Sequence, residues 1–163
     1  MLSHDHLISS TLDLPWLWIA LAYLLGALPF AVWIGRRAGK DPRRAGSKNP
    51  GASNVARVAG RRWGLMTLCL DAFKGALIPM LILGGYLIGE PSVSEGHERL
   101  RMGFDLQEWA ALAGVFSVLG HVTSPFLGFR GGRGVATALG VMGALHSGLA
   151  GLGVFVWLTV LML

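Results

Sequence analysis

The chain of 163 residues contains a single cysteine and few charged residues. One cysteine, Cys69, excludes a disulfide within the chain, and its position in an apolar run predicts a small buried packing residue. Asp, Glu, Lys and Arg make up 14% of the residues, whereas hydrophobic residues make up 53%. With a mean hydropathy of +0.55, the chain is more apolar than one soluble core requires, which predicts an integral membrane protein.

Several signatures of enzyme classes are also missing from the sequence. The phosphate-binding pattern G-x-x-x-x-G-K-[ST] does not occur, which argues against a P-loop ATPase. The nucleophile turn G-x-S-x-G is absent, so a serine hydrolase has no support. No paired His or Cys spacing indicates a metal site, and no carboxylate cluster in the loops indicates Mg²⁺. We therefore expect no metal and no cofactor.

Long uncharged runs divide the chain into predicted membrane spans. Residues 14–35 contain no charge, and roughly 20 apolar residues in a helix cross the hydrocarbon core. A cleaved signal peptide is the alternative for this run, but no Lys or Arg precedes it. No charged residue occurs from Val135 onward, and this stretch is longer than one span requires, so we expect a break at His146. The predicted spans are about 14–35, 63–89, 106–129, 134–145 and 149–163.

These spans predict an all-α integral membrane fold. We expect a polytopic helical bundle of about five transmembrane helices, forming one membrane domain over residues 1–163. No repeat of 20 to 50 residues is visible. The last helix has no polar or basic flank, which favours a chain cut inside or at the edge of a span. A short protein that ends at the far surface is the alternative.

Positive residues are distributed unevenly between the predicted loops. Residues 36–62 carry nine of the fourteen Lys and Arg residues, whereas residues 1–13 carry none and the acidic segment 90–105 carries two. Because Lys and Arg favour the cytoplasmic side, loop 36–62 is expected to face the cytoplasm, with the N-terminus outside. Counting spans then places loop 130–134, "RGGRG", on the cytoplasmic side as well. Two glycine-rich stretches are therefore predicted to share one membrane face.

The composition of both stretches is typical of anion sites. Residues 46–57, "GSKNPGASNVAR", combine glycines with Ser and Asn donors and with Arg57, and successive backbone N–H groups in such a turn form a concave anion site. Residues 128–134, "GFRGGRG", offer two guanidinium groups suited to phosphate and precede a predicted helix N-terminus. The alternative for each stretch is an ordinary cytoplasmic loop near anionic lipid.

Three ionisable residues lie inside predicted spans. Asp71 and Lys74 are three apart and share one helix face, about 10 to 15 Å into the helix. They are either a mutually neutralised structural pair, or Lys74 reaches an anion and Asp71 holds it in place. His121 lies near the cytoplasmic end of its span, within reach of "RGGRG". It is either a hydrogen-bonded packing residue or the best-placed general base.

Three blocks of the sequence together resemble a known family. "GSKNPGASNVAR", "LDAFKG" at 70–75 and "LGHVTSPFLGFRGGRGVAT" at 119–137 resemble, in order and spacing, the bacterial acyl-phosphate-dependent glycerol-3-phosphate acyltransferases of the PlsY type. The resemblance covers about residues 15–163. It implies a multi-pass protein of the bacterial cytoplasmic (inner) membrane, usually with about seven spans and with cytoplasmic active-site loops. It also implies acyl transfer from acyl phosphate to the 1-hydroxyl of sn-glycerol 3-phosphate, giving lysophosphatidic acid and phosphate.

The resemblance implies a role for each matching position. The two loops would cradle two phosphate groups, and holding both anions together would supply much of the rate through proximity. Arginines would stabilise charge on the departing phosphate, and His121 or a substrate phosphate oxygen would take the hydroxyl proton. The implied catalytic residues are His121 and Arg133, with Asp71 as structural support. The implied substrate-binding and phosphate-binding residues are Ser47, Asn49, Gly51, Asn54, Arg57, Lys74, Arg130, Gly131, Gly132 and Gly134.

The implied partners are the lipid bilayer, acyl phosphate, glycerol 3-phosphate and an upstream enzyme that forms acyl phosphate, with no nucleic acid. The sequence departs from the family in three places. Lys48 stands where the family usually has glycine, and "HVTSPF" has its proline one place later than H-x-x-P-V-F. A third block with histidine and asparagine does not occur before Leu163. The alternative functions are a non-enzymatic protein that binds or transports a phosphorylated anion and a lipid-facing scaffold.

Overall fold

The computed structural model describes residues 15–84 and 104–146, together with Gly148 and Gly151. Helices dominate this part of the chain, in agreement with the all-α prediction. A 3₁₀ turn, Pro125–Leu127, lies between the last two helices named here. The helices are α1 Pro15–Gly26, α2 Phe30–Arg37, α3 Ala52–Ala59, α4 Arg61–Leu83, α5 Leu106–Val122 and α6 Val135–Leu145.

Within the residues that the structure describes, three segments are long and apolar enough to cross a membrane: Pro15–Arg37, Arg61–Leu83 and Leu106–Leu127. Helix α6 is apolar but shorter. The helix expected over 149–163 lies outside the described residues, as do the N-terminal tail and most of the acidic segment.

The first span is broken, although residues 14–35 were expected to form one continuous helix. Helix α1 ends at Gly26 and α2 begins at Phe30. Pro29 causes the interruption, because proline has no N–H group and its ring restricts the residue before it. We call residues 27–29 the break. A helix end leaves backbone carbonyls that need other donors, so the break requires partners from elsewhere in the fold.

Other boundaries also differ from the expected ones. Helix α4 begins at Arg61 rather than at 63, and α5 ends at Val122 rather than at 129, shortly before Pro125. Segment 36–62, expected as a loop, contains the short helix α3. Cys69 is exposed on α4, so the expectation that it is buried in the packing was wrong.

Small residues allow the helices to approach closely. Lipid supplies little hydrophobic drive between helices, so packing at glycine is a common way to bring membrane helices together. At four glycines of the bundle, an added Cβ atom would overlap the backbone of the facing helix. The pairs are Gly26 with Ser117 and Gly120 with Tyr23 between α1 and α5, and Gly75 with Thr137 and Gly140 with Ala72 between α4 and α6.

Two apolar clusters hold the two ends of the bundle. Trp109, 1% exposed, packs with Ile19, Ile78 and Ile82 at the end of the bundle where α5 begins. A smaller cluster of Ala31, Ile34 and Val55, with Phe30, Trp63 and Leu70 around it, joins α2, α3 and α4 at the other end. This second cluster fixes the start of the first polar loop.

Candidate active site

The two glycine-rich loops lie against each other; we call the loop within 36–62 the first loop and residues 128–134 the second loop. A Cβ atom added at Gly132 would lie 2.9 Å from the carbonyl oxygen of Pro50. A cavity of about 10 Å³, room for about one water molecule, lies at this junction. It is lined by residues that include Pro50, Asp71, Lys74, His121, Ser124 and Gly132. The structure therefore brings together the two loops and the three ionisable residues singled out in the sequence.

The first loop is wrapped around one buried side chain, that of Asn54. Its Oδ1 accepts the N–H of Ser47 at 2.9 Å. Its Nδ2 donates to the carbonyls of Pro42 at 2.8 Å, Ala45 at 3.1 Å and Asn49 at 3.0 Å. Asn54 is 0% exposed. The hydrogen bonds of its amide are therefore made inside the protein and shape the loop, while the expectation that Asn54 binds phosphate stays a prediction.

The remaining predicted residues of the first loop differ in exposure. Ser47 and Arg57 are exposed, Asn49 is half-buried and Gly51 is buried. The side chains of Ser47 and Arg57 are therefore open to solvent. Lys48 has a φ angle of +58°, in the left-handed region that favours glycine. The turn thus keeps a glycine-like conformation with a lysine in place.

Asp41 is a structural residue that the sequence analysis missed. Its carboxylate accepts from Arg36 Nε at 3.2 Å and from three nitrogens of Arg43 at 2.8 to 3.1 Å. These hydrogen bonds, above all those from the Arg43 side chain, hold the pKa of the Asp41 carboxyl well below its usual range. A signal was present, because Asp41 is the only acidic residue among the nine cations of 36–62. We call Asp41, Arg36 and Arg43 the Asp41 clip.

The second loop is held by its own backbone. The N–H of Gly131 donates to the carbonyl of Val122 at 2.9 Å, and the N–H of Gly132 donates to that of His121 at 3.2 Å. These bonds cap the last carbonyls of α5. The amides of Gly131 and Gly132 are thus used within the protein, and the expectation that these two residues bind phosphate stays a prediction. Both positions must be glycine because the backbones touch: an added Cβ at Gly131 would lie 2.7 Å from the Val122 carbonyl.

The cationic side chains of the second loop remain exposed. Arg130 and Arg133 flank the two glycines and are both exposed. Gly134, with a φ angle of +77°, precedes the first turn of α6. A helix N-terminus carries partial positive charge, so it adds to the two guanidinium groups. Two exposed guanidinium groups and a helix N-terminus therefore lie together at this end of the site.

Asp71, Lys74 and His121 form one buried cluster between α4 and α5. Lys74 Nζ lies 2.8 Å from Asp71 Oδ1 and donates to the carbonyl of Leu28 at 2.8 Å. The ring of Phe30 lies 5.5 Å from the same Nζ. Lys74 is 2% exposed. Lys74 therefore forms a buried ion pair with Asp71, and its expected contact with phosphate stays a prediction.

His121 lies beneath the second loop. Its Nδ1 is 3.8 Å from Asp71 Oδ1, beyond hydrogen-bond length. Its Nε2 lies against Gly132, where an added Cβ would overlap it. The ring is therefore held between the carboxylate and the glycine backbone, with Nε2 on the side of the loop junction.

Ser124 is a second residue that the sequence analysis missed. Its Oγ donates to the carbonyl of Ala27 at 2.6 Å, joining parts of the chain that are 97 residues apart. The signal was the shifted proline of "HVTSPF", because Ser124 stands where the pattern H-x-x-P-V-F has its proline. Among the described residues, no group of three or more His, Cys, Asp or Glu side chains lies together as a metal site would require.

Comparison with known proteins finds similarity to glycerol-3-phosphate acyltransferases. Residues 16–163 match the family model for glycerol-3-phosphate acyltransferase. The glycerol-3-phosphate acyltransferase of Desulfotalea psychrophila is 47% identical over 121 residues, which are 74% of this chain and 54% of the relative. Glycerol-3-phosphate acyltransferase 1 of Deinococcus radiodurans is 42% identical over 147 residues, 86% of this chain and 65% of the relative. The chain thus spans about half to two thirds of these relatives.

Two solved structures are similar as well. The crystal structure of PlsY, an integral membrane glycerol 3-phosphate acyltransferase, in its glycerol 3-phosphate form has a TM-score of 0.75 and 34% identity. The match covers 91% of this chain and 66% of that chain. The lysophosphatidic acid form has a TM-score of 0.72 and the same identity, covering 90% and 64%. The integral membrane fold is therefore shared.

Proposed function

This chain belongs to the glycerol-3-phosphate acyltransferase family, and we propose that it transfers a fatty acyl group from acyl phosphate to the 1-hydroxyl of sn-glycerol 3-phosphate. The products are lysophosphatidic acid and inorganic phosphate, and the reaction is the first acylation of phospholipid synthesis. The solved relative exists in forms with glycerol 3-phosphate and with lysophosphatidic acid, which supports these identities for substrate and product.

The observation that carries the proposal is the contact between the two loops at Pro50 and Gly132. Both substrates carry a phosphate group, and each loop presents exposed cationic or hydroxyl groups beside this contact. Two anions held in adjacent loops would bring the hydroxyl close to the acyl carbon, which converts the encounter into an intramolecular step.

The proposed ligands divide between the loops. Ser47, Asn49 and Arg57 hold one phosphate. Arg130, Arg133 and the N-terminus of α6 at Gly134 hold the other. We propose that residues whose polar groups are bound within the protein shape the site without touching substrate: Asn54, Asp71, Lys74, Gly131, Gly132 and Gly51, whose N–H donates to the Asn49 carbonyl at 3.0 Å.

The chemical step requires no enzyme nucleophile, because acyl phosphate is already activated. The substrate hydroxyl oxygen forms a bond to the acyl carbon, and the bond from that carbon to the phosphate oxygen breaks. Arg133 stabilises the charge on the departing phosphate. His121 Nε2 takes the hydroxyl proton, directly or through one water in the adjoining cavity. A phosphate oxygen of a substrate is the competing proton acceptor, and His121→Gln distinguishes the two. If His121 is the base, the variant should lose the limb of the pH–rate profile that the histidine produces. If a phosphate oxygen is the base, that limb should remain.

We propose a cytoplasmic location for both loops in a bacterial inner membrane. Nine of the fourteen Lys and Arg residues lie in 36–62, and such residues favour the cytoplasmic side. Acyl phosphate would come from an upstream enzyme that forms it.

The test is an acylation assay with the full-length protein, purified in detergent. Labelled glycerol 3-phosphate is offered with acyl phosphate, acyl-CoA or acyl carrier protein, and lysophosphatidic acid is expected from acyl phosphate. Arg133→Ala should lose most turnover while inserting normally, whereas Arg37→Ala, an exposed arginine outside the proposed site, should keep it. Anion binding without lysophosphatidic acid from any donor would instead favour a binding or transport protein.

A further inference from the structure

The break in the first span leaves two consecutive carbonyls that accept side-chain donors from distant parts of the chain. The carbonyl of Ala27 accepts Ser124 Oγ at 2.6 Å, and that of Leu28 accepts Lys74 Nζ at 2.8 Å. Both carbonyls lie past the end of α1, where the helix no longer supplies donors, and a buried carbonyl without a donor is costly. The Leu28 carbonyl also accepts the N–H of Phe30 at 3.0 Å, so Lys74 gives it a second donor. The break is thereby attached to α4 on one side and to the turn after α5 on the other.

Ser124 also begins the segment that leads into the second loop. It is 1% exposed. Its carbonyl accepts the N–H of Leu127 at 3.0 Å and that of Phe129 at 2.9 Å. The same residue therefore fixes the turn before 128–134 with its backbone and the break before α2 with its hydroxyl. Helix α2 in turn leads into the first loop.

From this double attachment we infer that Ser124 is a positioning residue for the site. Its hydroxyl sets the placement of the first loop relative to the second, and so the separation of the two bound phosphates. Ser124 touches neither substrate in this role. The inference rests on the proposed function for its catalytic consequence, whereas the placement of the loops can be measured without any substrate.

Ser117 offers a matched control. It is 0% exposed, and its Oγ donates to the carbonyl of Lys74 at 3.2 Å. That carbonyl lies in the middle of α4, where the helix supplies its own donor. Removing the Ser117 hydroxyl therefore leaves no unsatisfied carbonyl and does not touch the break.

The experiment compares Ser124→Ala, Ser124→Cys and Ser117→Ala in the full reading-frame product in detergent. Hydrogen exchange is followed in peptides covering 128–134, well below the unfolding temperature. We expect exchange to rise about tenfold in Ser124→Ala, less in Ser124→Cys, and to stay within about twofold of wild type in Ser117→Ala. In the acylation assay, kcat should fall about tenfold in Ser124→Ala while KM for glycerol 3-phosphate changes less than about threefold, since the ligands remain but their relative placement is lost.

Unchanged exchange in Ser124→Ala would overturn the inference. Equal changes in Ser124→Ala and Ser117→Ala would also overturn it, since they would reflect general loss of packing. If Ser124→Ala does not fold, Ser124→Cys decides by the same exchange measurement. A wild-type protein without acyl transfer would refute the proposed function, and the exchange result would still decide whether Ser124 places the loop.

Discussion

The two glycine-rich loops have similar compositions but are held in place in opposite ways. In the first loop, the backbone of residues 42–49 is arranged around the side-chain amide of Asn54. In the second loop, backbone amides of Gly131 and Gly132 bind the end of α5. The first loop therefore depends on one side chain, and the second on the absence of side chains.

This difference shows that a motif residue can be required without touching a ligand. Asn54, Gly131 and Gly132 all lie in motif positions, yet their polar groups are used within the protein. The groups free to meet an anion are those exposed between them, such as Ser47, Arg57, Arg130 and Arg133. The predictions below test each way of holding a loop.

Asn54→Ala should have the largest effect. It removes the acceptor of the Ser47 N–H and the Asn54 donor to three carbonyls, of which those of Ala45 and Asn49 keep a backbone donor. A loss of about 3 kcal/mol in the free energy of unfolding is expected. The measurement is denaturant unfolding in detergent, with proteolysis mapping the cleavage to 42–49. Ser53→Ala, at the exposed neighbouring position on α3, serves as the control and should stay within about 0.5 kcal/mol. A loss for Asn54→Ala as small as the control's would show that the loop does not depend on the amide.

Gly132→Ala should disrupt the second loop through overpacking. The added methyl meets His121 Nε2 and the Pro50 carbonyl, so the two loops must separate, at a cost of about 2 kcal/mol. Acyl transfer should fall with it, measured per folded molecule. Gly128→Ala is the control for backbone strain without a steric clash, because Gly128 has a φ angle of +61° and open space around it. It should cost about 1 kcal/mol, and an equal loss at both positions would exclude the contact with Pro50 as the cause.

The Asp41 clip should give the first loop a weak acid sensitivity. Because the folded pKa of Asp41 lies below its unfolded value of about 3.9, its stabilisation is complete above about pH 4 and declines as the pH falls through the lowered folded pKa. The effect should not exceed about 1 kcal/mol, since Arg36 is 58% exposed and solvent screens the pair. Unfolding is measured from pH 7 down to about pH 3 for wild type and Asp41→Asn. The wild-type advantage over the variant should shrink in acid, and an advantage that grows there would contradict the assignment.

Lys48→Gly should have the smallest effect and the opposite sign. Relief of the left-handed conformation, about 1 to 2 kcal/mol, is partly offset by the greater flexibility of unfolded glycine, about 0.5 to 1 kcal/mol. We expect a net stabilisation of about 0.5 kcal/mol in the unfolding assay. Lys40→Gly, at an exposed lysine without positive φ, should be destabilising instead. Destabilisation of both variants would mean that Lys48 carries no backbone strain.

Much of the architecture could be predicted because it depends on composition and local pattern. The absence of charge over 14–35 and after Val135, and the order of the three blocks, indicated an all-helical membrane protein and its family. The break at Pro29 was missed because apolar residues continue through it. Proline alone does not tell whether a membrane helix kinks or ends, since that depends on donors available elsewhere.

By itself, the sequence determined that the chain enters a membrane, which family it belongs to, and which residue types surround its two anion loops. These properties follow from residue chemistry summed along the chain. Only the tertiary structure decided which polar groups remain free. Lys74 and Ser124 donate to carbonyls that are far away in sequence, and Asn54 donates to carbonyls that the turn of the first loop brings to it. The N–H groups of Gly131 and Gly132 donate to the end of α5 because the chain reverses direction there. A motif read in one dimension cannot reveal that competition between protein and ligand for the same donors.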